Sequence, residues 1–230
     1  MISVIIPTLN EKKNILVLAK KLIKLKIVYE IIFVDDNSTD GTFDEINKLK
    51  KNKKIRPFKR TSKQRDLSKS VMYGVIKARK DTVLVMDCDL QHDTFYILSM
   101  WIKFLNTNAD IIIASRFEKK SLFGNLGFLR SLISKIAIFF INLLLGKKST
   151  DPLSGFFLCR KKLITKYKKN FYLKGYKILF DILYNGQKNI KAYDHHIAFK
   201  KRKYEKSKFN LRIIKIFITQ MLYTKLLVKK

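Results

Sequence analysis

The sequence predicts an α/β fold with a mostly parallel central sheet flanked by helices. In the first half of the chain, short apolar runs rich in β-branched residues alternate with longer segments that have helical spacing of apolar residues. Such alternation indicates parallel strands joined by helices that cover both faces of one sheet. Length and composition agree, because 230 residues of which 47% are hydrophobic suffice for one domain with a full core.

The predicted elements follow one another without an internal repeat or a low-complexity linker. The apolar runs that predict strands lie at 2–6, 30–34, 82–86 and 110–114, with a further short strand at 54–59. The segments that predict helices lie near 11–25, 41–51, 66–79 and 93–105. Because the strands are expected to be parallel, their carboxyl ends should share one edge of the sheet, where open α/β sheets bind their ligands.

Two aspartates follow the apolar run at 82–86. Side chains two apart on an extended chain point the same way, so Asp87 and Asp89 can converge on one cation beyond the strand end. Carboxylate oxygens suit Mg²⁺ or Mn²⁺, which usually bridge to substrate phosphates, and Gln91 offers a further oxygen ligand. His92 is assigned to the loop. The alternative is an ordinary polar loop, because Asp-x-Asp alone is a weak signal.

The first two predicted strands also end in polar, acidic segments. Asp36 stands at the tip of the second strand, where it could accept hydrogen bonds from a nucleobase or a ribose. Ser38, Thr39 and Asp40 can each cap the helix that should follow Gly41, yet capping needs a single such residue. Three acidic strand ends on one edge therefore predict a binding site.

Six segments of the chain resemble, in order and spacing, the motifs of family-2 glycosyltransferases. They are VIIPTLNE, IIFVDDNSTDGT, VLVMDCDLQH, IIIASR, DPLSGFFLCR and RKYEKSK. The last two resemble the dolichol-phosphate (polyprenyl-phosphate) mannose synthase branch. The resemblance implies a GT-A, Rossmann-like catalytic domain over residues 1–208, followed by a C-terminal amphipathic helix over 209–230.

Five positions depart from the family pattern. Leu9 replaces the usual Tyr, Cys88 the usual Ala, and Asp93 the usual Pro, while Asp66 and Glu205 each replace a usual Gly. Leu9 and Glu205 bear most directly on which sugar nucleotide the chain prefers.

The resemblance also implies roles for individual residues. Those implied to bind the nucleoside and the sugar are Pro7, Leu9, Glu11, Val34, Asp36, Arg65 and Cys88. Asp87, Asp89 and Gln91 would surround the metal and the diphosphate, with Asp89 counted as catalytic. Arg116, also counted as catalytic, would face the acceptor phosphate with Arg130 and Ser134. Arg202, also counted as catalytic, would close over the diphosphate together with Lys208, which is counted as substrate-binding.

The implied reaction is an inverting transfer of a hexose to a polyprenyl or dolichyl phosphate, with mannose from GDP-mannose as the first expectation. Alternatives are glucose from UDP-glucose, or family-2 transfer to a hydroxyl of a glycan or a lipid. A hydroxyl acceptor would need a general base, for which Asp151 is the candidate, whereas an anionic phosphate needs positioning and charge stabilisation. Otherwise the Asp-Pro-Leu-Ser-Gly-Phe segment is interpreted as a turn that shapes the pocket.

The formal charge of +31 suggests an anionic partner, although lysines spread along the whole chain also fit a compositional bias. A nucleic-acid-binding protein is the alternative from another class, and a single contiguous basic stripe would favour it. The chain carries none of the common nucleic-acid motifs, so nucleic acid is not an expected partner. A catalytically silent scaffold is disfavoured by the intact Asp-x-Asp.

Two apolar segments bear on membrane binding. The segments at 131–146 and 211–228 are too short or too polar to span a bilayer, so each is either buried or lies at a membrane interface. Some family members carry transmembrane segments after the catalytic domain. Because neither segment here is expected to span a bilayer, this chain is expected to be peripheral on the cytoplasmic membrane face or held there by a separate anchor subunit. Cys88 and Cys159 are not expected to form a disulfide, which suits a reducing compartment.

Overall fold

A computed structural model describes most of the predicted catalytic domain. The described residues are 1–62, 64–117, 138–139, 141–143, 146, 148–174, 177–186, 190–198, 216 and 218–223. Four predicted site residues, Arg130, Ser134, Arg202 and Lys208, lie outside this set, as does most of the segment 209–230.

One seven-stranded sheet forms the centre of the described structure, with the strand order β3-β2-β1-β4-β6-β5-β7. The strands are β1 (Ile2–Thr8), β2 (Val28–Asp35), β3 (Ile55–Lys59), β4 (Thr82–Val85), β5 (Ile111–Ser115), β6 (Phe157–Arg160) and β7 (Ala192–His196). The helices are α1 (Lys12–Ile23), α2 (Thr42–Lys48), α3 (Leu67–Lys77), α4 (Tyr96–Asn106), α5 (Lys161–Tyr167) and α6 (Ile178–Asn185). Short 3₁₀ turns follow α2 and α5, at Leu49–Lys51 and Lys168–Asn170.

The predicted mostly parallel sheet is confirmed, and so are the predicted strands and helices of the first half. The strands of the pairs β1–β2, β1–β4, β2–β3 and β5–β7 all run parallel. The exception is β6, which lies antiparallel between β4 and β5. Neither β6 nor β7 was predicted, because β6 is a four-residue apolar run and β7 is a polar edge strand without apolar alternation.

Both faces of the sheet are buried, which explains why its strands are nearly continuous apolar runs. Ile5 and Val85 belong to the core that packs against α3, α5 and α6. Val4 and Leu84, their neighbours in sequence, belong to the core that packs against α1, α2 and α4. This alternation leaves the strand ends as the place where polar side chains can gather.

The described part of the chain contains no helix long and apolar enough to cross a bilayer. Cys88 and Cys159 are both buried as free thiols, which confirms the prediction that they form no disulfide. Burial in apolar surroundings raises the pKa of the Cys159 thiol well above its ordinary value.

Candidate active site

The carboxyl ends of β1, β2 and β4 meet at one edge of the sheet, as the sequence predicts. Three residues with a left-handed backbone begin the turns there: Asn10 with φ 53°, Asn37 with φ 59° and Leu90 with φ 61°. Asparagine tolerates this conformation, but a leucine with positive φ is uncommon, and such strain concentrates at functional loops. These turns therefore make the loops at this edge candidates for a functional site.

The loops after β1 and β2 are bound to each other. The backbone N–H of Asn10 donates to Ser38 Oγ at 2.9 Å, and Glu11 N–H donates to Thr42 Oγ1 at 2.8 Å. Asp40 accepts from the N–H of Lys12 at 3.2 Å and from that of Thr42 at 2.9 Å. Of the three predicted caps, Asp40 therefore serves α2, and it joins the amino ends of two helices into one rigid rim.

Asp36 lies at the tip of β2, where the sequence predicted it, but it already has a charged partner. Arg60 Nη1 donates to Asp36 Oδ1 at 2.5 Å and also contacts Ser70 Oγ at 3.0 Å. Burial raises the pKa of Asp36, although the charge of Arg60 opposes this shift. Sequence reasoning missed Arg60, and the available signal was its position directly after β3, the neighbour of β2.

The other predicted nucleoside residues lie on β1, on β2 or in the loops that follow β1 and β3. Pro7 and Val34 face each other as paired positions of the two strands. Buried Glu11 accepts a hydrogen bond from Asn14 Nδ2 at 2.7 Å, and half-buried Leu9 precedes the turn. Arg65 donates from Nη2 to the carbonyl of Asn37 at 2.9 Å, which brings it to the same rim. These residues therefore lie along the same edge of the sheet, the edge at which open α/β sheets bind their ligands.

The Asp-x-Asp segment begins two residues after the end of β4 at Val85. Cys88 is buried in the apolar core against α1 and α4, so its thiol points away from the strand ends where the predicted site lies. Its predicted role in substrate binding is therefore confined to its backbone. Asp89 is buried and accepts the N–H of Gln91 at 3.1 Å. His92 accepts the N–H of Asp87 at 3.3 Å and stacks on Phe156, which agrees with its assignment to the loop.

Asp87, Asp89 and Gln91, the residues predicted to hold a metal, offer only oxygen ligands, which Mg²⁺ and Mn²⁺ prefer. Among the described residues, no group of three or more His, Cys, Asp or Glu side chains is arranged to hold a metal. The set is thus incomplete by itself. It fits a cation that takes its remaining ligands from water and from a diphosphate.

The Asp-Pro-Leu-Ser-Gly-Phe segment passes directly beside Asp87. A Cβ atom built on Gly155 would lie 2.5 Å from Asp87 Oδ2, so only glycine fits here without displacing that carboxylate. The segment therefore lies against the Asp-x-Asp motif, next to the predicted metal site.

Arg116 and Asp151 form a buried pair at this wall. Arg116 Nε donates to Asp151 Oδ2 at 2.6 Å and Nη2 donates to Oδ1 at 2.8 Å, the bidentate geometry of strong guanidinium–carboxylate pairs. Burial disfavours the charged guanidinium, but the charge and hydrogen bonds of Asp151, with a contribution from Asp87, raise the pKa of Arg116. Asp151 is fully buried and both its oxygens accept from Arg116, which disfavours it as a general base for a substrate hydroxyl.

Comparisons with known proteins agree with this geometry. A sequence model of the family described as Glycosyl transferase family 2 matches residues 3–168. A dolichol-phosphate mannosyltransferase of Pyrococcus furiosus is 37% identical over 190 residues, which cover 81% of this chain and 53% of that protein. A protein of the same name from Saccharomyces cerevisiae is 30% identical over 188 residues, covering 79% and 69%. The chain thus spans about half the length of the Pyrococcus relative.

Solved structures with the same fold include glucosyl-3-phosphoglycerate synthase of Mycobacterium tuberculosis. Its complex with phosphoglyceric acid has a TM-score of 0.75 at 16% identity and covers 98% of this chain and 80% of that one. Its complex with Mn²⁺, UDP-glucose and phosphoglyceric acid has a TM-score of 0.74 at 16% identity, with coverages of 98% and 80%. At this identity the likeness shows the fold alone, which is the GT-A type that the sequence predicts.

Proposed function

Because this chain belongs to glycosyl transferase family 2, we propose that it transfers a hexose from a sugar nucleotide to a polyprenyl phosphate. Mannose from GDP-mannose is the first proposed donor, which the relatives named dolichol-phosphate mannosyltransferase support. UDP-glucose is the second, because Leu9 stands where the family usually has Tyr in the nucleoside pocket, and this departure leaves the donor preference to experiment.

One observation carries the choice of a phosphate acceptor: the sealed pair of Arg116 and Asp151 beside Asp87. A sugar hydroxyl is a weak nucleophile until a base removes its proton, and the candidate base Asp151 is buried with both oxygens occupied. A polyprenyl phosphate is already anionic and needs only positioning by a cation such as the Arg116 guanidinium. The chemistry of this wall therefore favours a phosphate over an alcohol.

The donor side supplies the complementary task. Asp87, Asp89 and Gln91 would hold Mg²⁺ or Mn²⁺, which when bound neutralises charge on the diphosphate leaving group. Asp36 and Arg65 would orient the nucleoside at the rim of β2. Attack on the sugar from the face opposite the diphosphate would invert the anomeric centre and give a β-linked product from an α-linked donor.

The proposal is tested by offering purified polyprenyl phosphate and the matching free polyprenol in parallel, each with GDP-mannose and with UDP-glucose. We expect transfer to the phosphate and none to the alcohol. Transfer to the alcohol alone would overturn the proposal and add Asp151 to the list of catalytic residues. The donor that yields product decides between mannose and glucose.

We also propose that the chain binds the cytoplasmic membrane face as a peripheral protein, alone or with a separate anchor subunit. Two pairs of apolar side chains four positions apart, Phe139 with Leu143 and Ile218 with Leu222, are between 53% and 74% exposed. Ile141 and Gln220, between the members of each pair, are buried against the domain. Each described helical stretch therefore has one face on the protein and one apolar face outward, as an interfacial helix does.

Flotation with liposomes tests this part of the proposal. The chain should float with anionic vesicles at low salt and less at high salt, because the attraction of lysines to anionic lipid is screened. A double variant with Phe139→Ser and Leu143→Ser should float less while keeping its fold, because these two side chains are largely exposed. A chain that never floats, even with acceptor lipid present, would contradict membrane binding.

A further inference from the structure

Asp194, on the edge strand β7, lies at the centre of a hydrogen-bond network that the reaction chemistry above does not use. Its Oδ1 accepts from Ser149 Oγ at 2.5 Å, and its Oδ2 accepts from both the N–H and Oγ1 of Thr150 at 2.7 Å. One carboxylate thus accepts three hydrogen bonds from two residues that lie 44 and 45 positions earlier in the chain. Such concentrated pairing holds the backbone at Ser149 and Thr150 in one place.

The same network reaches the pair of Arg116 and Asp151 in one further step. Ser149 Oγ, which donates to Asp194, also accepts the backbone N–H of Asp151 at 3.0 Å. Thr150 Oγ1 lies 2.7 Å from the Oγ of Ser115. Ser115 is the last residue of β5 and directly precedes Arg116. Asp151 is thus bonded to Ser149, and the residue before Arg116 is bonded to Thr150. Asp194 accepts hydrogen bonds from both Ser149 and Thr150.

Asp194 is itself rigidly placed. It pairs with Ile113 in the parallel ladder between β7 and β5, and Lys103 of α4 donates to its carbonyl oxygen at 2.5 Å. The carboxylate therefore projects from the framework of the sheet rather than from a loop, which suits a support for precise geometry.

We propose that Asp194 is a positioning residue, which fixes Asp151 and through it aims the Arg116 guanidinium at the acceptor phosphate. The inference rests on the proposed function for the identity of the acceptor, but the placement of Arg116 by Asp194 can be measured without any acceptor. The removal of Asp194 should therefore change Arg116 first and acceptor use as a consequence.

The variant Asp194→Asn tests the inference, because the amide places N–H donors opposite the donors of Ser149 or Thr150. The readout is the Arg116 Nε–H signal in a ¹H–¹⁵N NMR spectrum of the full chain, assigned by its disappearance in Arg116→Lys. In the wild type this buried, bonded proton should exchange slowly with water. In Asp194→Asn its exchange should be about tenfold faster or more, because a charge-assisted network is lost.

Asp110→Asn is the matched control. Asp110 also accepts a backbone N–H near β7, from Lys191 at 3.0 Å, and it pairs with Arg160, but it lies at the opposite end of β5. It should leave the Arg116 signal unchanged. Kinetics provide the second measurement: Asp194→Asn should raise the acceptor KM about tenfold and leave the donor KM within about twofold.

Should Asp194→Asn fail to fold, Ser149→Ala removes the bridging hydroxyl alone and should produce the same faster exchange at Arg116. An Arg116 signal that is unchanged in the folded variants would overturn the inference. A changed signal in a protein whose wild type never uses a polyprenyl phosphate would instead uphold the role of Asp194 and refute the proposed acceptor.

Discussion

The two halves of the sheet each hold one buried arginine–aspartate pair, and the two pairs are built in different ways. Asp36 and Arg60 follow directly after β2 and β3, which are parallel neighbours paired up to Asp35 and Lys59. Arg116 follows β5, whereas Asp151 precedes the antiparallel β6 and is held through Ser149 by Asp194 of β7. The first pair results from two successive βα units, and the second needs three segments that are distant in sequence.

This contrast separates the two tasks of the site. The register of neighbouring parallel strands places the residues of the donor side. These residues therefore lie at strand ends, within or next to their sequence motifs, and neighbouring loops support them. The acceptor side depends on a hydrogen-bond network, so its geometry can be changed from a distance. Predictions that affect one side and leave the other intact test this division.

The largest effect is expected at the metal carboxylate. Asp89→Asn removes one anionic ligand and leaves the charge of the diphosphate poorly neutralised, so transfer should fall about 100-fold or more. Excess EDTA should have the same effect on the wild type. Initial rates across a Mg²⁺ and Mn²⁺ titration measure it, and full turnover by the variant or in EDTA would refute the assignment of Asp89.

The next largest effect is on two Michaelis constants, the KM for the acceptor and the KM for the donor, each of which a different arginine variant should raise. Lysine lacks the planar fork of arginine, so Arg116→Lys should raise the acceptor KM about tenfold, and Arg60→Lys the donor KM by a similar factor. Arg56→Lys is the matched control, because Arg56 of β3 also pairs with a buried acid, Glu30, but toward the opposite end of β2 from Asp36. It should leave both constants unchanged. If both arginine variants raised the same constant, the two sides of the site would not be separate.

Two glycines with equally tight surroundings provide a third test. A Cβ on Gly155 would lie 2.5 Å from Asp87 Oδ2, and a Cβ on Gly74 would lie 2.5 Å from Ile5 Cγ2. Gly155→Ala should displace the carboxylate and raise the concentration of Mn²⁺ needed for half-maximal activity several-fold. Gly74→Ala should instead overpack the core and lower the free energy of unfolding by about 1–3 kcal/mol. The reverse pattern would remove Gly155 from the site.

The smallest effect concerns stability alone. It arises at another buried carboxylate, that of Asp181. Asp181 accepts the N–H of Tyr172 at 3.2 Å but forms no ion pair among the residues that the structure describes, and burial raises its pKa from 3.8 to about 6. Because the folded state binds this proton more tightly than the unfolded state, the group lowers stability progressively as pH rises from about 4 to about 6.

Asp181→Asn removes this loss of folding stability at high pH, because asparagine does not titrate. The variant should be about 1–3 kcal/mol more stable than the wild type at pH 7.5, and the difference should shrink below pH 4. Urea unfolding at several pH values measures it, with transfer activity unchanged. A difference that is constant with pH would show that Asp181 does not titrate in this range.

A large part of the donor side is evident in the amino-acid sequence itself. The apolar runs and their acidic ends located β1, β2 and β4, whereas Cys88, which was predicted to bind substrate, has its side chain in the apolar core. Arg60 could not be recognised in this way, because a single arginine after a short strand has the same local pattern as a solvated one. Its role follows from the pairing of β2 with β3.

Local sequence therefore determined the α/β class, the first five strands and the family motifs, because hydrophobic period and strand-end composition are short-range properties. Tertiary structure decided that β6 runs antiparallel between β4 and β5, that Gly155 lies against Asp87, and that Asp151 is sealed by Arg116 rather than available as a base. These outcomes depend on hydrogen bonds and packing between residues 35 to 45 positions apart or more. No local pattern encodes such contacts, because each requires the whole sheet to be assembled first.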